Sequence, residues 1–171
     1  MINLARYIGT LLVLFVSSVS AASECKDHDL PLMPYPQQVL CKDGTLNLGS
    51  TLAVVFNTEN PRIERALIRF GEQLKKQNGI TLLREAKQDA VLIRINTGAE
   101  TNFELGVERE AYQLSIDSSG IDITAEAWQG AFYALQTLLQ LMPADSGAAR
   151  LPLVTIDDRP RFQWRGVLMD S

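Results

Sequence analysis

The chain reads as an α+β domain, a mostly antiparallel sheet with two helices on one face. Three observations predict this. Short apolar or alternating runs recur at strand length, and two longer stretches carry apolar residues at helical spacing. The order is strands, helix, strands, helix, strand, rather than the regular alternation of a parallel α/β fold. Beyond that domain a last apolar run, Val167–Leu168–Met169, follows Gly166, with only Asp170 and Ser171 after it. Such a run suits a buried strand, yet nothing later in the chain covers it or pairs its edge. The expectation is therefore a cut at the first strand of a second domain.

Each element has its own signal. Leu30–Pro36 holds three prolines in seven residues, which disfavours helix and predicts an extended lead-in. Val39–Lys42 and Thr45–Leu48 flank Asp43–Gly44, a strong hairpin signal. Leu52–Asn57 is strand-like. Asn60 can then cap, and Pro61 open, a helix to about Gln77, with Ile63, Ala66, Leu67, Phe70 and Leu74 on one face and Asn78–Gly79 as a left-handed end. Ala90–Asn96 reads as a mostly buried strand and Gly98–Glu108 as a surface connection. Tyr112–Asp117 and Ile121–Ala125 alternate across Ser118–Ser119–Gly120, a second hairpin. Glu126–Met142 carries the richest helical face, with Phe132, Leu135, Leu138, Leu139 and Met142, closed by Pro143. Leu153–Ile156 predicts a last short strand, and Asp157–Arg165 a linker.

The N-terminus bears on compartment. Met1–Arg6 has one positive charge, Tyr7–Val19 is almost wholly apolar or small, and Val19–Ser20–Ala21 or Ser20–Ala21–Ala22 offers small-x-small cleavage. This is the pattern of a secretory signal peptide over residues 1–22. Thirteen residues fall short of the roughly 20 that cross a bilayer, so a membrane anchor fits less well. A lipoprotein attachment at Cys25 lacks the usual apolar and small residues before it. Removing residues 1–22 takes away Arg6 alone and moves the net charge from −4 to −5. An acidic chain of this kind has no electrostatic footprint for nucleic acid or anionic membrane. In an oxidising compartment Cys25 and Cys41 favour a disulfide over two thiols, and closing a loop of about 15 residues stabilises by about 3 kcal/mol in the chain-entropy view. His28 is the one histidine, so metal-ligand and Cys/His catalytic sets are poorly supported, and no metal or cofactor is expected.

The last fifteen residues carry a more specific pattern. Asp158, Pro160, Arg161, Phe162, Trp164, Arg165 and Gly166, followed by the apolar triplet and Asp170, are spaced as Asp-x-Pro-Arg-Phe-x-Trp-Arg-Gly. Upstream stand Glu110, Tyr112, Leu114 and Ile116, then Gly130-Ala-Phe132-Tyr133-Ala-Leu135-Gln136-Thr137-Leu138. From about Leu32 onward this resembles family 20 glycoside hydrolases, the β-N-acetylhexosaminidases: a small α+β domain followed by the start of a (β/α)8 barrel that is cut off. The resemblance implies residues 23–156 as the pre-barrel domain and 157–171 as linker and first barrel strand.

Arg165 is the leading site candidate. Its forked donors suit two neighbouring sugar hydroxyls, and an ion pair with Asp170 or another barrel carboxylate is the plainer alternative. The resemblance implies the sugar contact, to hydroxyls of a terminal N-acetylhexosamine, with Asp170 supporting the site by holding Arg165. Trp164 could stack on a sugar, but Phe132, Tyr133, Trp128, Phe162 and Trp164 fit core or domain interface better. The family's reaction depends on the substrate's 2-acetamido oxygen and an adjacent Asp–Glu pair. No such pair occurs: Asp157–Asp158 has no Glu, and Glu108–Arg109–Glu110 should be solvated. No catalytic residue is therefore assigned, and these 171 residues alone should be inactive.

The resemblance implies the front of a secreted or periplasmic enzyme. It would act on N-acetylhexosamine-terminated oligosaccharides through the missing barrel, on which this domain would pack. A stand-alone, non-catalytic secreted module binding glycan or protein is the alternative from another class. A zinc-protease-like reading lacks His-Glu-x-x-His and is set aside.

Overall fold

A computed structural model describes residues 23–24, 30–86, 90–98, 107–143, 150–162 and 166. One eight-stranded mixed sheet runs β1 (Ser23–Glu24), β2 (Gln38–Asn47), β8 (Arg150–Asp158), β6 (Tyr112–Asp117), β7 (Gly120–Ala125), β5 (Val91–Thr97), β3 (Thr51–Phe56) and β4 (Thr81–Leu83). Helices α1 (Pro61–Asn78) and α2 (Trp128–Leu141) complete the expected α+β architecture, and Val107–Glu110 forms a turn of 3-10 helix. Pairings from β1 to β7 are antiparallel, whereas β7, β5, β3 and β4 run parallel.

Helix α1 forms where its local signals place it. The Asn60 side chain accepts from Arg62 N at 2.8 Å, Pro61 opens the first turn, and Gly79 closes the helix at φ 71°. Its apolar face, Ile63, Ala66, Leu67, Phe70 and Leu74, is buried as the spacing predicts. At one end the Arg62 guanidinium lies 4.9 Å from the Trp128 ring centre, and at the other Asn78 Nδ2 donates to Pro143 O at 2.6 Å. The two helices thus lie side by side, N-termini together, on one face of the sheet. Alternation along β6 and the second half of β8 sends Leu114, Ile116, Val154 and Ile156 into the core and Gln113, Ser115 and Thr155 to the opposite, open face, and Leu151 reaches the core across a break in register. On that face Arg94 and its cross-strand partner Asp122 pair through two bonds of 2.5 and 2.6 Å.

Helix α2 starts at Trp128, two residues later than its apolar pattern suggests. Ala125 still belongs to β7, where its carbonyl accepts from Gly98 N, and Ala127 keeps an extended backbone. The face that meets the sheet is built from small residues, Gly130, Ala131 and Ala134, as well as Leu135, Leu138 and Leu141. Phe132 and Leu139 flank this face and are only partly buried.

The Asp43–Gly44 hairpin is corrected. Val39–Lys42 and Thr45–Asn47 form one continuous strand, β2, whose partner is β8. Cys41 lies opposite Val154 and Thr45 opposite Pro152, so three residues bulge against Leu153 alone. Pro152 has no N–H for the ladder, and Gly44 absorbs the distortion at φ 111° with room for little more than its hydrogen beside Leu153. A long partner strand satisfies more backbone groups than a two-residue turn would, and it lets Val39 and Leu46 both reach the core. Strand β4 went unread because three residues carry no period. It forms the sheet edge, where Lys75 Nζ donates to Thr81 Oγ1 at 3.2 Å and Arg84 pairs with Glu64 at 2.9 Å.

A Cβ added at Gly130 would collide with the Ala111 carbonyl oxygen and touch the Ala125 Cβ. Alanine is the better helix former by about 1 kcal/mol, but a backbone carbonyl cannot swing aside. Gly130→Ala is expected to lower stability by about 2 kcal/mol, as measured by urea unfolding, and an unchanged or raised midpoint would contradict the close approach.

Candidate functional site

The extended lead-in, the outer side of α2 and the end of β8 meet at one corner. They enclose a concavity of about 770 Å³ lined by Tyr35, Gln37, Tyr133, Gln136, Gln140 and Arg161, among others. Exposed apolar side chains gather on the segments that form it: Met33 is 84% exposed, Tyr133 39% and Phe162 71%, while the rest of the described large apolar surface is Ile68 on α1. Phe132 and Tyr133 meet edge to face, with centroids 5.5 Å apart.

The corner is held by polar contacts between residues far apart in the chain. Tyr112, the first residue of β6, is buried, and its hydroxyl shares a 2.6 Å hydrogen bond with Thr137 Oγ1 of α2. Burial raises its pKa, which keeps it a neutral phenol throughout the physiological range. Asp158 lies directly opposite Tyr112 in the β6–β8 ladder. Its Oδ1 accepts from Gln37 N at 3.1 Å, and Gln37 Nε2 donates to Arg159 O at 2.6 Å. Met33 N donates to Gln140 Oε1 at 2.7 Å, so the lead-in is also tied to α2. Burial pushes the Asp158 carboxyl above its ordinary value. The N–H groups of Gln37 and Arg159 and the Tyr112 hydroxyl pull it back in part.

Among the described residues no group of three or more His, Cys, Asp and Glu could hold a metal ion. The half-buried Asp158 and the phenol of Tyr112 satisfy each other and their neighbours. Arg165, Asp170 and Trp164 lie outside the described residues, and so does Cys25. Cys41 is disulfide-bonded, and β1 places Ser23 opposite it. Trp128 and Phe132 pack against the core, while Tyr133 and Phe162 stand out of it, which divides the aromatic set between core and surface. Gln37 carried no sequence signal, being one polar residue among others until Asp158 and Arg159 arrive beside it.

A second concavity, about 510 Å³, opens at the ends of β5, β6 and β7 and is lined by Asn96, Gln113, Thr124, Glu126 and Asp157. It lacks exposed aromatic surface, although Tyr112 and Asp157 place it next to the exit corner.

For a carboxyl whose folded pKa is raised, burial carries no penalty below about pH 4, where both folded and unfolded chains are protonated. The penalty is complete once pH exceeds the raised value. Asp158→Asn keeps an acceptor for Gln37 and removes that charge. Its stability relative to the parent chain should rise as pH increases from about 4 to 7, read from urea midpoints at each pH. A difference that falls with pH would show the carboxylate to be net favourable.

Comparison with known proteins follows this geometry. The model of glycosyl hydrolase family 20, domain 2, matches residues 29–159. A β-hexosaminidase from Porphyromonas gingivalis is 28% identical over 151 residues, which are 84% of this chain and 19% of that protein. The solved structure of a chitobiase from Flavobacterium johnsoniae superposes with a TM-score of 0.70 at 32% identity, over 86% of this chain and 23% of that one. A Vibrio harveyi exo-β-N-acetylglucosaminidase, solved with N-acetylglucosamine, superposes at 0.64 with 24% identity, over 84% and 21%, a likeness of fold. The chain thus spans about a fifth of the length of these proteins. With residues 29–159 matched from the lead-in to the end of β8, it belongs to glycosyl hydrolase family 20.

Proposed function

We propose that this chain is the front portion of a secreted or periplasmic β-N-acetylhexosaminidase. The enzyme would remove terminal non-reducing N-acetyl-D-hexosamine from chitooligosaccharides and glycans. The observation that carries this reading is the family match over residues 29–159, the whole of the described sheet except β1. It is supported by the similarity to a β-hexosaminidase and a chitobiase.

In this reading the substrate's acetamido oxygen attacks the anomeric carbon, while an Asp–Glu pair supplied by the barrel orients the acetamide and transfers the proton. This portion contributes support and one contact. Arg165 offers two parallel N–H donors to neighbouring hydroxyls of the terminal sugar, which fixes the ring as a single ammonium would not, and Asp170 holds the guanidinium. The corner that gathers Met33, Tyr133 and Phe162 is the seat on which the barrel packs. Its apolar surface beside two exposed arginines has the mixed character of an interface between domains. Residues 1–22 serve as the export signal, and Cys25 with Cys41 braces the start of the mature chain.

The test is the mass of the native polypeptide in the exported fraction, detected by antibody to this domain, together with hydrolysis of a chromogenic N-acetylglucosaminide. A species several-fold heavier than 19.0 kDa that carries the activity is expected. A stable, inactive native species of about 19.0 kDa would overturn the enzyme reading in favour of a stand-alone binding module.

A further inference from the structure

We infer that Gln37 is a positioning residue, whose two hydrogen bonds, to the Asp158 carboxylate and to the Arg159 carbonyl, aim the chain as it leaves β8. The inference rests on the proposed hexosaminidase reading. Strand β2 ends its pairing with β8 at Gln38 opposite Asp157. One step further the ladder stops, and Arg159–Phe162 belong to no strand. At that step Gln37 uses both of its ends. The backbone N–H donates to Asp158 Oδ1 at 3.1 Å and the side-chain amide donates to Arg159 O at 2.6 Å. This fork, two bonds to successive residues, holds the stretch in direction as well as in place, since one bond alone would leave it freer to pivot.

Both halves of the fork are themselves anchored. Asp158 lies against buried Tyr112, which is locked to Thr137 of α2. Gln37 follows Pro36, and the lead-in is tied to α2 through Met33 N and Gln140 Oε1. The direction of the exit is thus referred to α2 twice, once through the sheet and once through the lead-in.

Arg165 stands seven positions beyond Asp158. A segment of that length reaches at most about 25 Å, so a 10° swing at its base displaces its far end by about 4 Å. An error of about 1 Å in a sugar-holding group is enough to cost on the order of a hundredfold. Packing on the barrel would correct part of that swing, and the fork supplies what packing leaves.

The experiment uses the full-length enzyme and compares the parent with Gln37→Ala and Gln37→Lys. Alanine removes the donor to Arg159 O, and lysine restores one of similar reach. Gln37 is exposed and its side chain lies outside the ladder, so melting temperatures should agree within a degree or two. Two readouts are made. Hydrolysis of a chromogenic N-acetylglucosaminide should show KM raised about tenfold in Gln37→Ala, with a smaller change in kcat, and recovery in Gln37→Lys. Brief trypsin treatment should cut after Arg161 several-fold faster in Gln37→Ala than in the parent, and at the parent rate in Gln37→Lys. Unchanged KM together with unchanged cleavage in Gln37→Ala would overturn the inference. A parent without hydrolase activity would sink the enzyme reading instead, and the cleavage rates alone would then decide whether the fork aims the segment.

Discussion

Strand β8 must lie between β2 and β6 for the sheet to exist as one object. Its neighbours on both sides bond to it along most of their length, and β2 has otherwise only the two residues of β1. Without it the sheet divides into a bare ribbon and a five-stranded remainder. Leu151, Val154 and Ile156 fill the gap between the core faces of β2 and β6, which are more than sixty residues apart in the chain. The position of β8 also determines where Asp158 ends and hence where Gln37 can meet it. The exit corner follows from that one insertion.

What could be read from the residues was what is local. Asn60, Pro61 and Gly79 mark α1 because a helix end is satisfied within a turn of itself. Gly120 marks the β6–β7 hairpin because its partners are next to it in the chain. Asp43–Gly44 misled because the same dipeptide serves a turn or a bulge, and the choice lay with β8. Gln37 and Asp158 stand 121 residues apart, and nothing short of the fold puts them together. The three parallel pairings on the far side of the sheet had no signal of their own, since a buried apolar run looks alike in either direction. The motif residues Arg165 and Asp170 were named by resemblance and lie beyond the described corner, so the site was legible as a motif and not as a geometry.

The chemistry on view is that of a frame. Its carboxylates are paired or solvated: Asp122 with Arg94, Asp117 beneath the Ser119 hydroxyl and N–H that hold its pKa low, Asp158 within the exit corner. Hydrogen bonds from Met33 and Gln37 tie the place where the chain leaves β8 to the lead-in and to α2. That fits a family in which this portion is about a fifth of the whole.

The two margins of the sheet have a consequence for behaviour in a crowded solution. β1 offers two residues and β4 three, the second flanked by Lys75 and by Arg84, whose guanidinium also lies 5.7 Å from the Phe56 ring centre. At the β4 margin a second copy approaching edge-on would meet a strand of three described residues with a cation on either side to displace. The strands behind that margin can therefore be rich in isoleucine and leucine without inviting strand-by-strand association through β4.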